Sequence, residues 1–193
     1  GHQVVDIQEL DPTLLVELKY STTDNFMKMD VYGDLETCYL RKVPSEMLEK
    51  AHSILKETHP DLRLLIYDGL RPRSIQWILW NTLNDVPESE RSNFVANPKS
   101  GSIHNFGAAV DLTVAHKNGT PLDMGTHYDY FGDLAFPRLE DSLIVVGDLT
   151  IEQVNNRLIL RDAMTQAGFS PINTEWWHFD SFPYKETKRK FSI

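Results

Sequence analysis

Residues 102–111, Ser-Ile-His-Asn-Phe-Gly-Ala-Ala-Val-Asp, and residues 175–178, Glu-Trp-Trp-His, lie far apart in the chain. Together they offer two imidazoles, His104 and His178, one carboxylate, Asp111, and a further carboxylate, Glu175, three residues before the second imidazole. Two neutral His and one carboxylate are donors that zinc takes. A set of only three protein ligands leaves a fourth position for water, as hydrolytic sites do. Glu175 is then that water's base. The strongest demand on the fold is therefore that two distant segments meet at one metal.

Local patterning says how they are presented. In residues 109–114, Val110, Leu112 and Val114 alternate with Ala109, Asp111 and Thr113. That is the period of a half-buried strand, and it turns Asp111 away from the apolar set. The last strand is expected over 175–179. Glu175 and His178 would face opposite sides of a regular strand there, being an odd number of residues apart. Either Glu175 sits on the approach to the strand, or a bulge at Trp176-Trp177 re-aims it. Trp176 and Trp177 read as one pocket wall and one core residue, in either order.

Further strands are expected over 14–20 and 62–67, the second delivering Asp68-Gly69-Leu70-Arg71 at its end. Helices are expected over 44–59, with Pro44 in the first turn and Pro60 as the stop, over 74–82 after Pro72, and over 150–167, closed by Gly168. Residues 84–101 are polar, with Pro87, Pro98 and Gly101, and read as a surface excursion leading to the metal motif. Asn118-Gly119 marks a turn. Strands and helices mix without regular βαβ alternation, which predicts an α+β fold with a central, largely antiparallel sheet flanked by helices.

Ser102, His104, Gly107, Ala109 and Asp111 match the pattern S-x-H-x-x-G-x-A-x-D, and Glu175 and His178 supply E-x-x-H. Residues 17–26 and 67–72 are also similar to segments of the same family, so the likeness runs over nearly the whole chain. The chain resembles the zinc D,D-peptidase superfamily, and within it the D-alanyl-D-alanine dipeptidases, which include those that confer vancomycin resistance. The resemblance implies a hedgehog/zinc D,D-peptidase-like fold and one zinc ion per chain on His104, Asp111 and His178. It implies Glu175 as general base and Arg71 as the group that steadies the oxyanion, a task suited to an always-charged forked donor. It also places Tyr20 and Asp129 at the ammonium end of a dipeptide and Ser102 near its carboxylate. The residues alone fit other roles too: Arg71 paired with Asp68, Asp129 capping a turn with Asp133 close by, Tyr20 packed in the core. Arg73 competes with Arg71 but does not match the family's position. Ile103 stands where the resistance enzymes commonly carry a second Ser; the backbone amide survives that change, while pocket size and polarity differ.

The implied activity is hydrolysis of D-alanyl-D-alanine to two D-alanines, either in cell-wall salvage or in depleting the target of glycopeptide antibiotics. The alternative is a D,D- or L,D-carboxypeptidase on peptidoglycan stem peptides, which Asp129 would block if it closes the ammonium end. A non-catalytic zinc-binding module is the reading of another class, and it has no use for Glu175 and Arg71.

Composition agrees with a small substrate. At 193 residues and 41% hydrophobic, the chain is long enough for one core and is read as one domain, 1–193. A net charge of −9, with basic residues clustered only in 185–190, excludes a nucleic-acid or anionic-membrane footprint. No apolar run reaches the length of a membrane span. The lone Cys38 offers no disulfide and reads as a small packing residue, and His52, His59, His116 and His127 read as structural. The start at Gly1-His2, without Met, leads to the expectation of a periplasmic or exported mature chain rather than a cytoplasmic one. Oligomeric state stays open.

Overall fold

The computed structural model describes residues 3–193; Gly1-His2, which carried the expectation about export, lie outside the described residues. Strand β1 (Val4–Asp6) runs into the one-turn helix α1 (Ile7–Leu10), where the Asp6 carboxylate accepts from the Gln8 amide. Strand β2 (Leu15–Val16) is far shorter than the 14–20 expected. The chain leaves the sheet through a 3-10 turn, Lys19–Ser21, and the Tyr20 carbonyl accepts from the Val31 and Tyr32 amides instead of from a strand partner. Strand β3 (Tyr39–Arg41) leads into helix α2 (Lys42–Thr58), which carries Pro44 in its first turn and stops at His59 before Pro60.

Strand β4 (Leu62–Asp68) is followed by helix α3 (Arg73–Thr82), with Pro72 as its N-cap. Strand β5 (Ala109–His116) ends at the Asn118-Gly119 turn. Helix α4 (Glu140–Val146) precedes helix α5 (Ile151–Ala167). A reciprocal Thr150/Gln153 capping box opens α5, and Gly168, in the left-handed conformation, closes it. Strands β6 (Ser170–Pro171) and β7 (His178–Asp180) and helix α6 (Tyr184–Lys190) complete the chain.

The main sheet has the order β2-β4-β5-β7-β6; β2 pairs parallel with β4, and the other pairings are antiparallel. Strands β1 and β3 form a small antiparallel sheet beside it. The fold is therefore α+β with a largely antiparallel sheet, as the resemblance implies. Leu64, Ile66, Val110, Leu112 and Val114 are fully buried, in one core with Leu48, Ala51 and Leu55 of α2 and Leu160, Ala163 and Met164 of α5. Burying each large aliphatic side chain of this kind contributes roughly 1.5–3 kcal/mol.

The expectation of a half-buried β5 is corrected: its residues 109–115 are buried on both faces. The second face lies under aromatic rings carried by loops, with Tyr128 packing on Tyr67, Tyr20 and Trp177 at centroid distances of 5.3, 6.1 and 5.5 Å. The polar residues of the alternation, Asp111 and Thr113, therefore point into an enclosed layer rather than into solvent. Cys38 is buried, as expected of a packing residue.

Candidate metal centre and cavity

Three antiparallel strands place the central groups in one row. Asp111 of β5 lies directly opposite His178 of β7, and on its other side opposite Asp68 of β4. The second pairing depends on a bulge between Ile66 and Asp68, which inserts Tyr67 and brings Asp68 into register with Asp111. His104 reaches the row from a 3-10 turn, Ile103–Phe106. Ser102 caps that turn, paired with Asn105 in a capping box, and Gly107 ends it at φ 68°. A side chain at Gly107 would be strained at that φ and would press on Arg41 at 3.3 Å.

Three donor atoms converge. His104 Nε2 lies 3.2 Å from Asp111 Oδ1 and 3.2 Å from His178 Nδ1, and His178 Nδ1 lies 2.9 Å from Asp111 Oδ1. Ligands about 2.0–2.1 Å from a tetrahedral ion stand roughly 3.3 Å apart, so the three atoms fit one face of such a site. Each candidate ligand is also held from behind. His104 Nδ1 donates to the Gly69 carbonyl at 2.8 Å, which leaves Nε2 with the lone pair. His178 Nε2 donates to Asp180 Oδ1 at 2.8 Å, and Asp111 Oδ2 accepts from the Tyr128 hydroxyl at 2.8 Å. Burial pushes the Asp111 carboxyl up, but His104 and His178 outweigh it and hold the group well below the usual carboxylate range. Burial pushes His178 down, while Asp180 and Asp111 hold it well above its ordinary value.

Glu175 sits on the approach to β7, with Trp176-Trp177 in a turn after it, so the first of the two sequence alternatives holds. Its Oε2 is 3.9 Å from His178 Nδ1, and 32% of its side chain is exposed. Burial raises the Glu175 carboxyl above its ordinary value and Asp111 adds to this, while His178, His104 and Arg71 offset part of the rise.

Arg71 is buried. It donates Nε and Nη2 to Asp68 Oδ2, at 2.8 and 2.6 Å, and Nη1 to Gln76 Oε1 at 3.0 Å. Its Nη2 is also 3.6 Å from Asp111 Oδ2. Of the five guanidinium N–H groups these bonds use three, which leaves one on each terminal nitrogen. Pairing with Asp68 and facing the cavity are thus both true of Arg71. Arg73 points elsewhere, donating to the Pro98 and Lys99 carbonyls.

The Tyr20 hydroxyl donates to Asp129 Oδ2 at 3.1 Å, and Asp129 is 9% exposed, at φ 60°. Burial, reinforced by Asp111, raises the Asp129 carboxyl well above its usual range, with Arg71 opposing. Ser102 spends its oxygen as an acceptor for the His104 amide at 3.3 Å and keeps its own O–H to donate.

All eight candidate residues, Tyr20, Arg71, Ser102, His104, Asp111, Asp129, Glu175 and His178, line one cavity of about 560 Å³. Trp177 is the pocket wall, while Trp176 turns away and donates Nε1 to Thr126 Oγ1. Residues 84–101 are more than a surface excursion: Ser92 to Asn97 form a cavity wall, tied to α3 by the Arg73 bonds and by Gln76 Nε2 to the Ala96 carbonyl at 2.8 Å.

Sequence reasoning did not single out Tyr128, Asp180, Gln76 or Tyr32, whose hydroxyl donates to Asp68 Oδ1 at 2.7 Å. Asp180 alone carried a readable signal, standing two residues from His178 on the same strand face.

The family model for the peptidase M15 family, described as D-Ala-D-Ala dipeptidase, matches residues 1–192. A D-alanyl-D-alanine dipeptidase of Escherichia coli K12 is 34% identical over 178 residues, covering 92% of this chain and 84% of that protein. One from Enterococcus faecalis V583 is 27% identical, covering 92% of this chain and 91% of its own length. Another from Enterococcus faecium is 28% identical, over 84% of this chain and 83% of its own. The chain belongs to the D-Ala-D-Ala dipeptidase family of metallopeptidases.

Proposed function

We propose that this chain is a zinc-dependent dipeptidase that cleaves D-alanyl-D-alanine into two D-alanines. The observation that carries the reading is the meeting of the His104, Asp111 and His178 donor atoms with Glu175 and Arg71 at one cavity. Bound there, zinc supplies a Lewis acid that polarises the scissile carbonyl and acidifies water. Glu175 accepts a proton from the attacking water as its hydroxide oxygen bonds to the carbonyl carbon. Its raised proton affinity suits that task. The two uncommitted N–H groups of Arg71 meet the oxygen on which negative charge develops. The C–N bond then breaks, and Glu175 returns the proton to the departing amine.

The ends of the dipeptide carry opposite charges, both costly to bury unpaired. Asp129, supported by Tyr20, receives the ammonium, and the Ser102 hydroxyl donates to the carboxylate. The buried position of Asp129 supports a dipeptide over a longer stem peptide, because its carboxylate stands where a longer chain would continue. The presence of Glu175 and Arg71 at the cavity speaks for catalysis over a non-catalytic module.

The test is D-alanine release from D-Ala-D-Ala, alongside a tripeptide ending in D-Ala-D-Ala and a chelator-treated sample. Chelator-sensitive cleavage of the dipeptide alone is the expected result. Cleavage of the tripeptide instead moves the protein to the carboxypeptidases, and silence on both with zinc bound overturns the catalytic reading.

A further inference from the structure

Three phenylalanines from separate segments meet at the mouth of the cavity. Phe26 follows the turn that carries Tyr20, Phe131 stands two residues after Asp129, and Phe94 belongs to the wall formed by residues 92–97. Their rings touch: Phe26 to Phe131 at a centroid distance of 5.1 Å, Phe94 to Phe131 at 5.2 Å. All three line the cavity, yet Phe94 and Phe131 keep 38% and 41% of their surface exposed.

Isolated exposed apolar residues are ordinary on a protein surface. A connected group at the rim of a ligand cavity is different, because a ligand that projects on that side covers it. The wall is also fixed in place. Arg73 and Gln76 of α3 hold the carbonyls of Ala96, Pro98 and Lys99, and Arg91 donates to the Val86 and Trp80 carbonyls. Phe94 is therefore presented by an anchored segment.

Resting on the dipeptidase reading, we propose that Phe26, Phe94 and Phe131 form an apolar subsite for the side chain of the substrate's first residue, so that the preferred substrates are D,D-dipeptides whose amino-terminal residue is larger than alanine. The placement follows from the chain. Tyr20 and Asp129 mark the ammonium end, and two of the three phenylalanines lie on the segments that deliver them. The carboxylate end, at Ser102, is flanked by Ile103 and Gly101, and the ring on that side, Tyr184, is tied by its hydroxyl to the Ser100 carbonyl and makes no ring contact with another cavity-lining residue among the described residues. With the ammonium on Asp129 and the carbonyl at the metal, the first α-carbon lies between these two points, and its side chain has the rim as an apolar outlet. The methyl of D-alanine is too short to cover two half-exposed rings; a leucine-sized side chain is not. The cavity, about 560 Å³, is also larger than two alanines fill.

An added methylene in an apolar pocket is worth about 10-fold or more when fully enclosed. The rim encloses a side chain on one side only, so the whole change from D-Ala to D-Leu is expected to give about a tenfold gain. The tip of that side chain meets the rim in the same way before and during attack on the carbonyl, so the contact acts nearly equally on ground and transition states and the gain falls on KM with kcat nearly unchanged.

The experiment compares kcat and KM of the zinc-loaded enzyme on D-Ala-D-Ala, D-Leu-D-Ala and D-Ala-D-Leu, then repeats the set with Phe94→Ala and Phe131→Ala. The expected result is a KM about tenfold lower for D-Leu-D-Ala than for D-Ala-D-Ala, with the ratio falling towards one in both variants. The comparison on the parent enzyme stands even if a variant fails to fold. Slower cleavage of D-Leu-D-Ala while D-Ala-D-Ala is turned over overturns the subsite and leaves the dipeptidase reading intact. A gain confined to D-Ala-D-Leu, or a D-Leu preference untouched by both substitutions, overturns it equally. Failure to cleave any of the three defeats the dipeptidase reading and the subsite with it.

Discussion

Replacing Asp180 by Ala isolates the contribution of a residue that stands behind a candidate ligand and outside the donor set itself. Asp180 accepts from His178 Nε2 at 2.8 Å, and this bond fixes which nitrogen of the ring keeps its lone pair for the cluster at Nδ1. Without it the proton is free to move to Nδ1, the one nitrogen that must be bare, and the ring is free to rotate about its side-chain bonds. His178 is also the most exposed of the three ligands, so packing restrains it least. Loss of an outer partner of this type costs typically 10- to 100-fold in metal affinity. The full range corresponds to about 1.4–2.7 kcal/mol, in keeping with one hydrogen bond to a charged group. The upper half is expected here, because the bond is short and its acceptor is ionised. Asp180→Asn keeps an acceptor oxygen and loses the charge, so its loss should stay below about tenfold. Competition for zinc against a coloured chelator near neutral pH measures both variants. Asp180→Ala binding zinc within about twofold of the parent would show that ring orientation is set by packing alone, and would refute the argument.

Glu175→Gln should retain zinc and lower kcat on D-Ala-D-Ala by about 10²- to 10⁴-fold, the usual worth of a general base; a parallel loss of bound metal would instead make Glu175 a ligand. His52 is fully buried on α2 and neither ring nitrogen has a hydrogen-bond partner among the described residues. Burial, only partly offset by Asp11, lowers its pKa from 6.5 to about 4. The unfolded chain therefore takes up this proton first as the solution is acidified. Stability from this group is complete above about pH 6.5 and falls by about 3 kcal/mol in all as pH drops towards 4. Urea unfolding across that window should be less pH-dependent in His52→Leu than in the parent, and equal slopes would refute the assignment. Gly69→Ala places a Cβ 2.5 Å from Cys38 Sγ and 2.9 Å from the Tyr39 carbonyl oxygen. It should cost about 1–3 kcal/mol in thermal or urea unfolding, and Cys38→Ala should restore only part of it, because the backbone oxygen remains.

The parts of the fold that could be read from sequence are those governed by local rules. Helices α2 and α5 follow from apolar spacing and end signals: Pro44 and Pro60 for one, the Thr150 cap and Gly168 for the other. Strand β4 is apolar from Leu62 to Tyr67 apart from Arg63, and the alternation in β5 correctly turns Asp111 from the helix-covered face. The readings that changed depend on what packs from a distance. Strand β5 has the period of a half-exposed strand, but loops carrying Tyr20, Tyr128 and Trp177 cover its polar side. Strand β2 stops early because the Tyr20 carbonyl is taken by the returning chain at Val31 and Tyr32. The bulge that sets Asp68 against Asp111 is a matter of register between two strands, and neither strand's own pattern announces it.

At the metal centre the same distinction separates ligands from their supports. His104, Asp111 and His178 could be picked out as candidate ligands because each sits in a short motif with the right donor types, and the fold brings their donor atoms together. Tyr128, which holds the free oxygen of Asp111, comes from a loop whose path is set by aromatic packing, so no spacing rule reaches it. The motif positions that are not ligands have a physical reason as well. His104 donates its ring proton to the Gly69 carbonyl, its own carbonyl accepts from the Arg71 amide, and Asn105 Nδ2 donates to the Arg71 carbonyl at 2.9 Å. The turn after β4 and the turn before β5 are thereby locked together through their main chains. Gly69 and Gly107 allow the close approach, Asn105 bridges it, and Ser102 caps it. The spacing between the His104 ring and the Arg71 main chain is therefore set by these bonds between the two turns, and the Asn105 side chain supplies one of them, so substitutions at Asn105 should disturb turnover and zinc affinity together.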